Sequence, residues 1–354
     1  MAMNKGEWSE FYTILSLLIN PKIKLVSDNL ELLNDELYTI KKLSIQEKET
    51  IIDYVLKENA DVSVLFNKEL NTVISSDTLI KAQKDILKSI LTATSGGGAF
   101  EIKDTQKLLN KMTKRGKLKS KSLNKDDLQA LVLDNRIGFD RVLKYSIKSS
   151  LGRPATILNS SRHTNFIYEV SGLNKSEISI INKINTKKKL IDRIKKIKEF
   201  GGKISFVKTE SENFNYNLKL IDSNMPNYLA NILLNSYEND NKNLKELFFS
   251  CNNFIDHTFA LKKLGDLLEA ISFGFFPSKK WNGINNVDGG LIIVKKDGQV
   301  VILDLIYFRQ YVRQYLINQT VLDSPDSKRY HMLKIEEING KFYFKLNLQI
   351  RYKN

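Results

Sequence analysis

The stretch DDLQALVLDNRIGFDRVLKYSIKSSLG, residues 126–152, decides how this chain is read. Its two apolar-rich runs, DLQALVLD and VLKYSIK, are antiparallel strands joined around the loop NRIGF. With the turn centred between Ile137 and Gly138, Lys148 falls opposite Asp127 and Ser146 opposite Gln129. Directly opposed residues project to one face, so these four form a polar cluster beyond the apolar pairs. A shorter hairpin with its loop nearer residue 141 pairs Asp134 with Lys148 instead, and a slip of one residue selects Asp126. Asp127 is preferred because it leaves the full apolar run LQALVL paired.

An acid at the start of one strand with a lysine near the end of its neighbour is the arrangement that hydrolyses phosphodiesters in one broad nuclease superfamily. The carboxylate holds Mg²⁺, which polarises the scissile phosphate and lowers the pKa of a bound water. The lysine orients that water and offsets developing charge. A further acid is normally wanted two residues before the lysine, and here that residue is Ser146, a poor Mg²⁺ ligand. Another carboxylate has to fill the gap, and Glu7 and Glu10 on the N-terminal helix are the nearest candidates. On spacing alone, an edge hairpin with an incidental ion pair explains the same residues.

The 354 residues suffice for two domains or one large one. Lys and Arg number 55 against 40 Asp and Glu, a formal net charge of +15 that favours nucleic acid as partner. A lysine-rich proteome would give the same excess. The single cysteine, Cys251, excludes a disulfide framework and a four-cysteine zinc site. The opening residues MAMNKGEWSE lack the pattern of a secretory signal, and no apolar run reaches membrane-spanning length, so the expectation is a soluble intracellular protein.

From Trp8 to Ile19, apolar residues recur every three or four positions, predicting an amphipathic helix ended by Asn20-Pro21. Helical patterns continue in SIQEKETIIDYVLKE and SSDTLIKAQKDILKSIL, and the glycines at 96–98 mark a loop. KMTKRGKLKSKSLNK, residues 111–125, carries seven basic residues and no acid, so Lys114 and Arg115 are candidate phosphate contacts. TKKKLIDRIKKIKEFGG reads as a packed helix with Leu190, Ile191, Ile194 and Ile197 inward and lysines outward. Toward the end, GGLIIVKKDGQVVILDLIYF and KIEEINGKFYFKLNLQIRY are hairpins turning at Asp297-Gly298 and Asn339-Gly340. No lysine follows Asp304 at the required place, so it and Asp288 are read as scaffold.

The blocks NKGEWSEFYTILSLL, YSIKSSLGRPATILNSSRHTNFIYEVSG, VDGGLIIVKKDGQV and KFYFKLNLQIRY, in that order, resemble the HpaII family of type II restriction endonucleases. The resemblance implies a mixed α/β (α+β) fold: a PD-(D/E)XK core with N-terminal helices over residues 1–172 and a β-rich recognition region, integrated with it, over 173–354. It further implies Mg²⁺-dependent cutting of double-stranded DNA at a short palindrome, CCGG being the site of the family's name-giving enzyme though a few side chains set it and it can change within a family, in a bacterial cytoplasm beside a cognate DNA methyltransferase as functional partner. Whether two chains form a homodimer around the palindrome stays open.

Carried over residue by residue, Lys148 matches the motif lysine, Ser146 the slot of the second acid, Asp127 the first acid and Glu10 the helix glutamate. Asp127, Glu10 and the Ile147 carbonyl are the implied metal ligands, with Glu169 a second candidate donor. Arg153, Asn159, Arg162, His163 and Asn165, which follow the catalytic strand, are candidate base contacts, and Asn159 and Thr164 also suit turn and cap hydrogen bonding. Lys328, Arg329 and His331 form a second candidate DNA-contacting loop. The rival readings are a non-catalytic DNA-binding protein and a structure-specific repair nuclease.

Overall fold

Asn4 caps the first helix by accepting from the Glu7 N–H, while the Glu7 carboxylate accepts from the Asn4 N–H. This helix, α1 (Lys5–Ile19), ends at Asn20 as its sequence predicts. The structure is a computed structural model describing residues 2–33, 37–93, 98–116, 125–252, 254–325 and 331–353. After α1 the chain runs through β1 (Tyr38–Glu47), β2 (Thr50–Leu56), β3 (Val62–Phe66), β4 (Glu69–Ile74), α2 (Ser76–Thr92), α3 (Lys103–Met112), β5 (Leu128–Asp134) and β6 (Phe139–Ser149). Then follow β7 (Thr156–Leu158), β8 (Asn165–Ser171), α4 (Lys175–Lys183), α5 (Lys189–Glu199), β9 (Lys203–Thr209), α6 (Glu212–Ile221), α7 (Met225–Glu238), α8 (Leu244–Ser250) and α9 (His257–Glu269). The last elements are β10 (Gly290–Val294), β11 (Val300–Asp304), α10 (Arg309–Gln319), β12 (Thr320–Leu322), β13 (Glu336–Ile338), β14 (Lys341–Asn347) and β15 (Ile350–Tyr352).

The result is a mixed α/β fold in two units. One comprises residues 1–155 and 285–315, the other 156–284 and 316–353. The division falls after Ala155 rather than after residue 172, and residues 285–315 return to the first unit.

The first unit is built on an eight-stranded sheet in the order β11-β10-β6-β5-β1-β2-β3-β4. All neighbours are antiparallel except β10 and β6, which run parallel with Ile293 beside Lys148. The Asp297-Gly298 hairpin predicted from sequence is present, with Gly298 at φ +86°. Its strands supply the other flank of β6, which no local pattern discloses. Helix α1 lies on this sheet and buries Trp8, Phe11, Leu15 and Leu18 against Tyr38, Leu43, Val132, Leu143 and Ile292. Each such side chain contributes about 1.5–3 kcal/mol on burial, which fixes α1, and therefore Glu10, relative to β6.

SIQEKETIIDYVLKE, predicted helical, is instead the β1–β2 hairpin, with Glu47 paired to Thr50 and Lys48 at φ +55°. Its apolar positions fit either period over so short a window. The β-branched Ile45, Ile51, Ile52 and Val55 with Tyr54 favour the pleated surface, and pairing with β5 and β3 settles it. The glycines at 96 and 97 and residues 117–124 of the basic run lie outside the described residues, as do Lys328 and Arg329.

In the second unit, β13-β14-β8-β9 form one antiparallel sheet and β12-β15-β7 another. Asn339 and Gly340 both take positive φ, as the predicted two-residue turn requires. Tyr168 stacks on Phe344 with ring centroids 5.3 Å apart and donates to the Ala230 carbonyl of α7 at 2.8 Å. Helix α5 forms as predicted, but its inner face also holds Arg193, with Ile191 only half-buried. The Arg193 guanidinium donates to the carbonyls of Asn182, Ile184 and Leu333 at 2.7, 2.9 and 2.8 Å, so its burial is satisfied.

Candidate active site

The hairpin that opens the sequence reading forms, but in a different register. Leu128 pairs with Tyr145 and Asp134 with Phe139, leaving the four-residue loop Asn135–Gly138 centred between Arg136 and Ile137. The turn is centred one residue earlier than expected because Asp134 organises it. Its Oδ1 accepts the Arg136 N–H at 3.1 Å, and its carbonyl accepts the N–H of Gly138, at φ +69°. The ladder ends at Leu128, and beyond it the Asp127 N–H donates to the Tyr145 carbonyl at 2.9 Å. Gln129 faces Lys144. A shift of two preserves the face, so the polar cluster survives with different partners.

Asp127 is held by β6. Its Oδ2 accepts the Ile147 N–H at 2.7 Å and the Ser146 hydroxyl at 3.0 Å. Lys148 Nζ donates to Ser146 Oγ at 2.8 Å and to the Ile147 carbonyl at 3.1 Å, and stands 4.0 Å from Asp127 Oδ2. Ser146 is buried and links acid to lysine as acceptor on one side and donor on the other. The serine in the acid slot therefore positions both charged groups.

Helix α1 brings Glu10 to the same place. Burial and the Asp127 charge push its carboxyl up to about 8, with Lys148 opposing the rise. The Ser149 hydroxyl donates to Ser9 Oγ at 3.0 Å, tying the helix to the end of β6. Lys125 feels the same crowding from the cationic side. Burial, then the Lys148 charge, lower its ammonium to about 8, and Asp127 opposes. The sequence marks Lys125 only as part of the basic run; its nearness to Lys148 comes from the tertiary fold. Glu10 and Lys148 open onto a cleft of about 600 Å³ whose walls include Lys5, Ser9, Gly152 and Arg153.

The other acids have different partners. Asp126 accepts from Gln129 at 3.2 Å. Asp134, at the far end of β5, is fully buried and accepts the Tyr307 hydroxyl at 2.7 Å, so it serves the turn. Asp304 accepts from Tyr38 and from the Tyr307 N–H, and Asp288 accepts from the Lys144 N–H at 2.7 Å, as scaffold residues would. Glu169 belongs to the second unit and pairs with Lys341 at 3.2 Å.

A profile described as HpaII restriction endonuclease matches residues 4–352. The chain is 33% identical over 362 residues to the type II restriction enzyme HpaII of Haemophilus parainfluenzae, covering 99% of this chain and 98% of that protein. This chain belongs to the HpaII restriction endonuclease family. It is therefore a type II site-specific deoxyribonuclease, acting on DNA with a divalent metal ion. The family match favours neither rival reading. No solved structure matches the chain, and no helix among its described residues is long and apolar enough to cross a membrane.

For an HpaII-family chain, the donor set at the cleft fits a small divalent cation. Among the described residues no group of three or more His, Cys, Asp or Glu could hold a metal, but two carboxylates and a backbone carbonyl suit Mg²⁺, which keeps several waters. Burial first and the Asp127 charge second raise Glu10, and a bound cation would offset both.

The candidate DNA contacts separate by structure. Arg153 lines the cleft, and Asn159, Arg162 and His163 are exposed in the second unit. Asn165 is buried: its amide donates to Glu210 at 2.5 Å, and its oxygen accepts from Asn347 at 2.7 Å. That residue is committed to the protein and corrects the expectation of a base contact. Thr164 caps the turn through Ser161. Lys114 and Arg115 are exposed but lean on the β1–β2 turn, where Glu47 accepts the Lys114 N–H at 2.9 Å and lies 3.7 Å from Arg115 Nε. His331 is exposed, at φ +50°.

Proposed function

We propose that this chain hydrolyses phosphodiester bonds of double-stranded DNA with Mg²⁺ at a short palindrome, CCGG, using a PD-(D/E)XK-type centre. The observation that carries this reading is the meeting of three charged groups: Glu10 and Lys148 line one cleft, and Asp127 is joined to Lys148 through Ser146 and acts electrostatically on Glu10. Asp127, Glu10 and the Ile147 carbonyl would hold the metal. Bound Mg²⁺ supplies the charge that polarises the scissile phosphate and lowers the pKa of a coordinated water.

The chain's own groups do the rest. The Ile147 N–H and the Ser146 hydroxyl aim the Asp127 carboxylate. Lys148, anchored on Ser146, orients the attacking water and offsets negative charge as it develops on the phosphate. Glu10 releases a proton to solvent in order to act as a ligand. Arg153 on the cleft wall, with Asn159, Arg162 and His163, would contact DNA, and exposed Lys114 and Arg115, together with Lys328 and Arg329 of the later loop, would meet phosphates. A palindromic site has two-fold symmetry that two chains would match as a homodimer. A cognate methyltransferase in the same bacterial cytoplasm would protect the host's own sites.

Incubating purified protein with plasmid and Mg²⁺, then mapping fragment ends, tests this reading. Discrete fragments ending at CCGG are expected. Uncut plasmid, or ends that share no sequence, would overturn it.

A further inference from the structure

The second unit carries a concentration of positive charge that the cleavage site does not use. Between residues 183 and 203 the sequence holds nine basic residues against two acids, Asp192 and Glu199. Arg193 turns inward to backbone carbonyls, while Lys187, Lys188, Lys195 and Lys198 are exposed. Beside this segment lies a depression of about 260 Å³. Lys187, Lys188, Lys189 and Lys242 line it, over an apolar floor that includes Leu190, Tyr237 and Leu322.

Acids near the depression are mostly spoken for. Asp240 pairs with Lys188 at 2.7 Å, Glu238 with Lys198 at 2.9 Å and Glu199 with Lys196 at 2.9 Å. Asp323 faces Arg351 at 3.7 Å, and Asp192 bonds Thr186. Lys187, Lys189 and Lys242 remain as excess charge around the opening, with exposed Lys195 on the same helix as Lys189. The chemistry is that of lysine, a point charge without the planar fork that reads base edges, so it suits phosphates irrespective of sequence. Helix α5, at 11 residues, is about 16 Å long, the rise over which one strand of a duplex presents about five phosphates.

We propose that the lysine-rimmed depression formed by α5, the end of α7 and the segment after β12 is a docking surface for the DNA backbone, separate in role from the cleavage site. It rests on the family's DNA substrate. It gives binding that depends on salt rather than on sequence.

The test uses the full chain without divalent metal, on a duplex containing CCGG and on one lacking it. Affinities are read by fluorescence anisotropy across salt concentrations. Lys187→Gln, Lys189→Gln and Lys242→Gln combined should flatten the slope of log K against log salt by about 2.7, about 0.9 per phosphate contact, and equally on both duplexes. The Lys→Arg triple should keep the wild-type slope, and cleavage at saturating enzyme should be unchanged in both triples. An unaltered slope in the Gln triple overturns the proposal, as does an equal loss in the Arg triple. If the wild type binds DNA but never cuts it, the proposed cleavage function falls while the docking surface is still judged by its slope.

Discussion

Ser146 donates its hydroxyl hydrogen to Asp127 Oδ2 across the β5–β6 hairpin at 3.0 Å, from the position where a carboxylate would be expected. Ser146 Oγ in turn accepts from Lys148 Nζ at 2.8 Å. Ser146→Ala removes both bonds while leaving acid and lysine in place. Both bonds have a charged partner, a contact worth about 1.5–3 kcal/mol, and a loss of about one such contact would slow single-turnover cleavage roughly ten- to a hundred-fold. Lys148→Ala, which deletes the charge itself, should cost about 10²–10³ or more. Both variants should bind DNA as the wild type does, measured by anisotropy without metal. Full activity in Lys148→Ala would remove it from the centre.

The three nearby aspartates separate by phenotype. Asp127→Asn should abolish cleavage at every Mg²⁺ concentration, with little change in melting temperature. Asp126→Asn should leave activity close to wild type. Asp134→Asn strikes the buried contacts with Tyr307 and the Arg136 N–H, and should lower stability by about 1–3 kcal/mol while activity per folded molecule persists. Thermal melts read beside a Mg²⁺ titration distinguish the three patterns.

Glu10 makes the metal-free chain sensitive to pH. Its carboxyl is raised from 4.5 to about 8 in the fold, so between those values the folded state holds a proton that the unfolded state has released. Stability is then fully favoured below 4.5 and declines as pH rises toward 8, by up to about 1.4 kcal/mol per unit. Glu10→Gln should flatten this part of the curve in urea titrations without metal. The proton also competes with the cation, so apparent Mg²⁺ affinity should rise about tenfold per pH unit below 8. An affinity independent of pH would show that Glu10 is no ligand.

Gly290 opens β10 at φ +127°, where an added Cβ would lie 2.0 Å from the Leu303 carbonyl oxygen. Backbone cannot yield there as a side chain can. Gly290→Ala should cost about 3 kcal/mol or more, seen as a large drop in melting temperature. An unshifted melt would contradict the close β10–β11 approach.

Much of this was legible in the chain. Helix α1, the Asn339-Gly340 and Asp297-Gly298 turns and the β5–β6 hairpin carry local signatures that the structure repeats. What escaped depends on distance or on competition between local forces. The hairpin register turned on the Asp134 side chain, whose Tyr307 partner lies 173 residues away. The β1–β2 strands carry apolar spacing that fits a helix equally well until the neighbours β5 and β3 are known. Asn165 looked like a reader of bases because its residue type suits that task, and only Glu210 and Asn347 reveal that its amide is occupied.

The parallel pairing of β10 with β6 also bears on the order in which the sheet is completed during synthesis. Residues 290–294 must reach the ribosome's exit long after residues 139–149, so β6 waits at an open sheet edge while roughly 140 residues are made. Contacts of such sequence separation form late. The strand bearing Ser146 and Lys148 is thus completed only when most of the chain exists. A half-made copy therefore has one flank of that strand unpaired until residues 290–294 arrive.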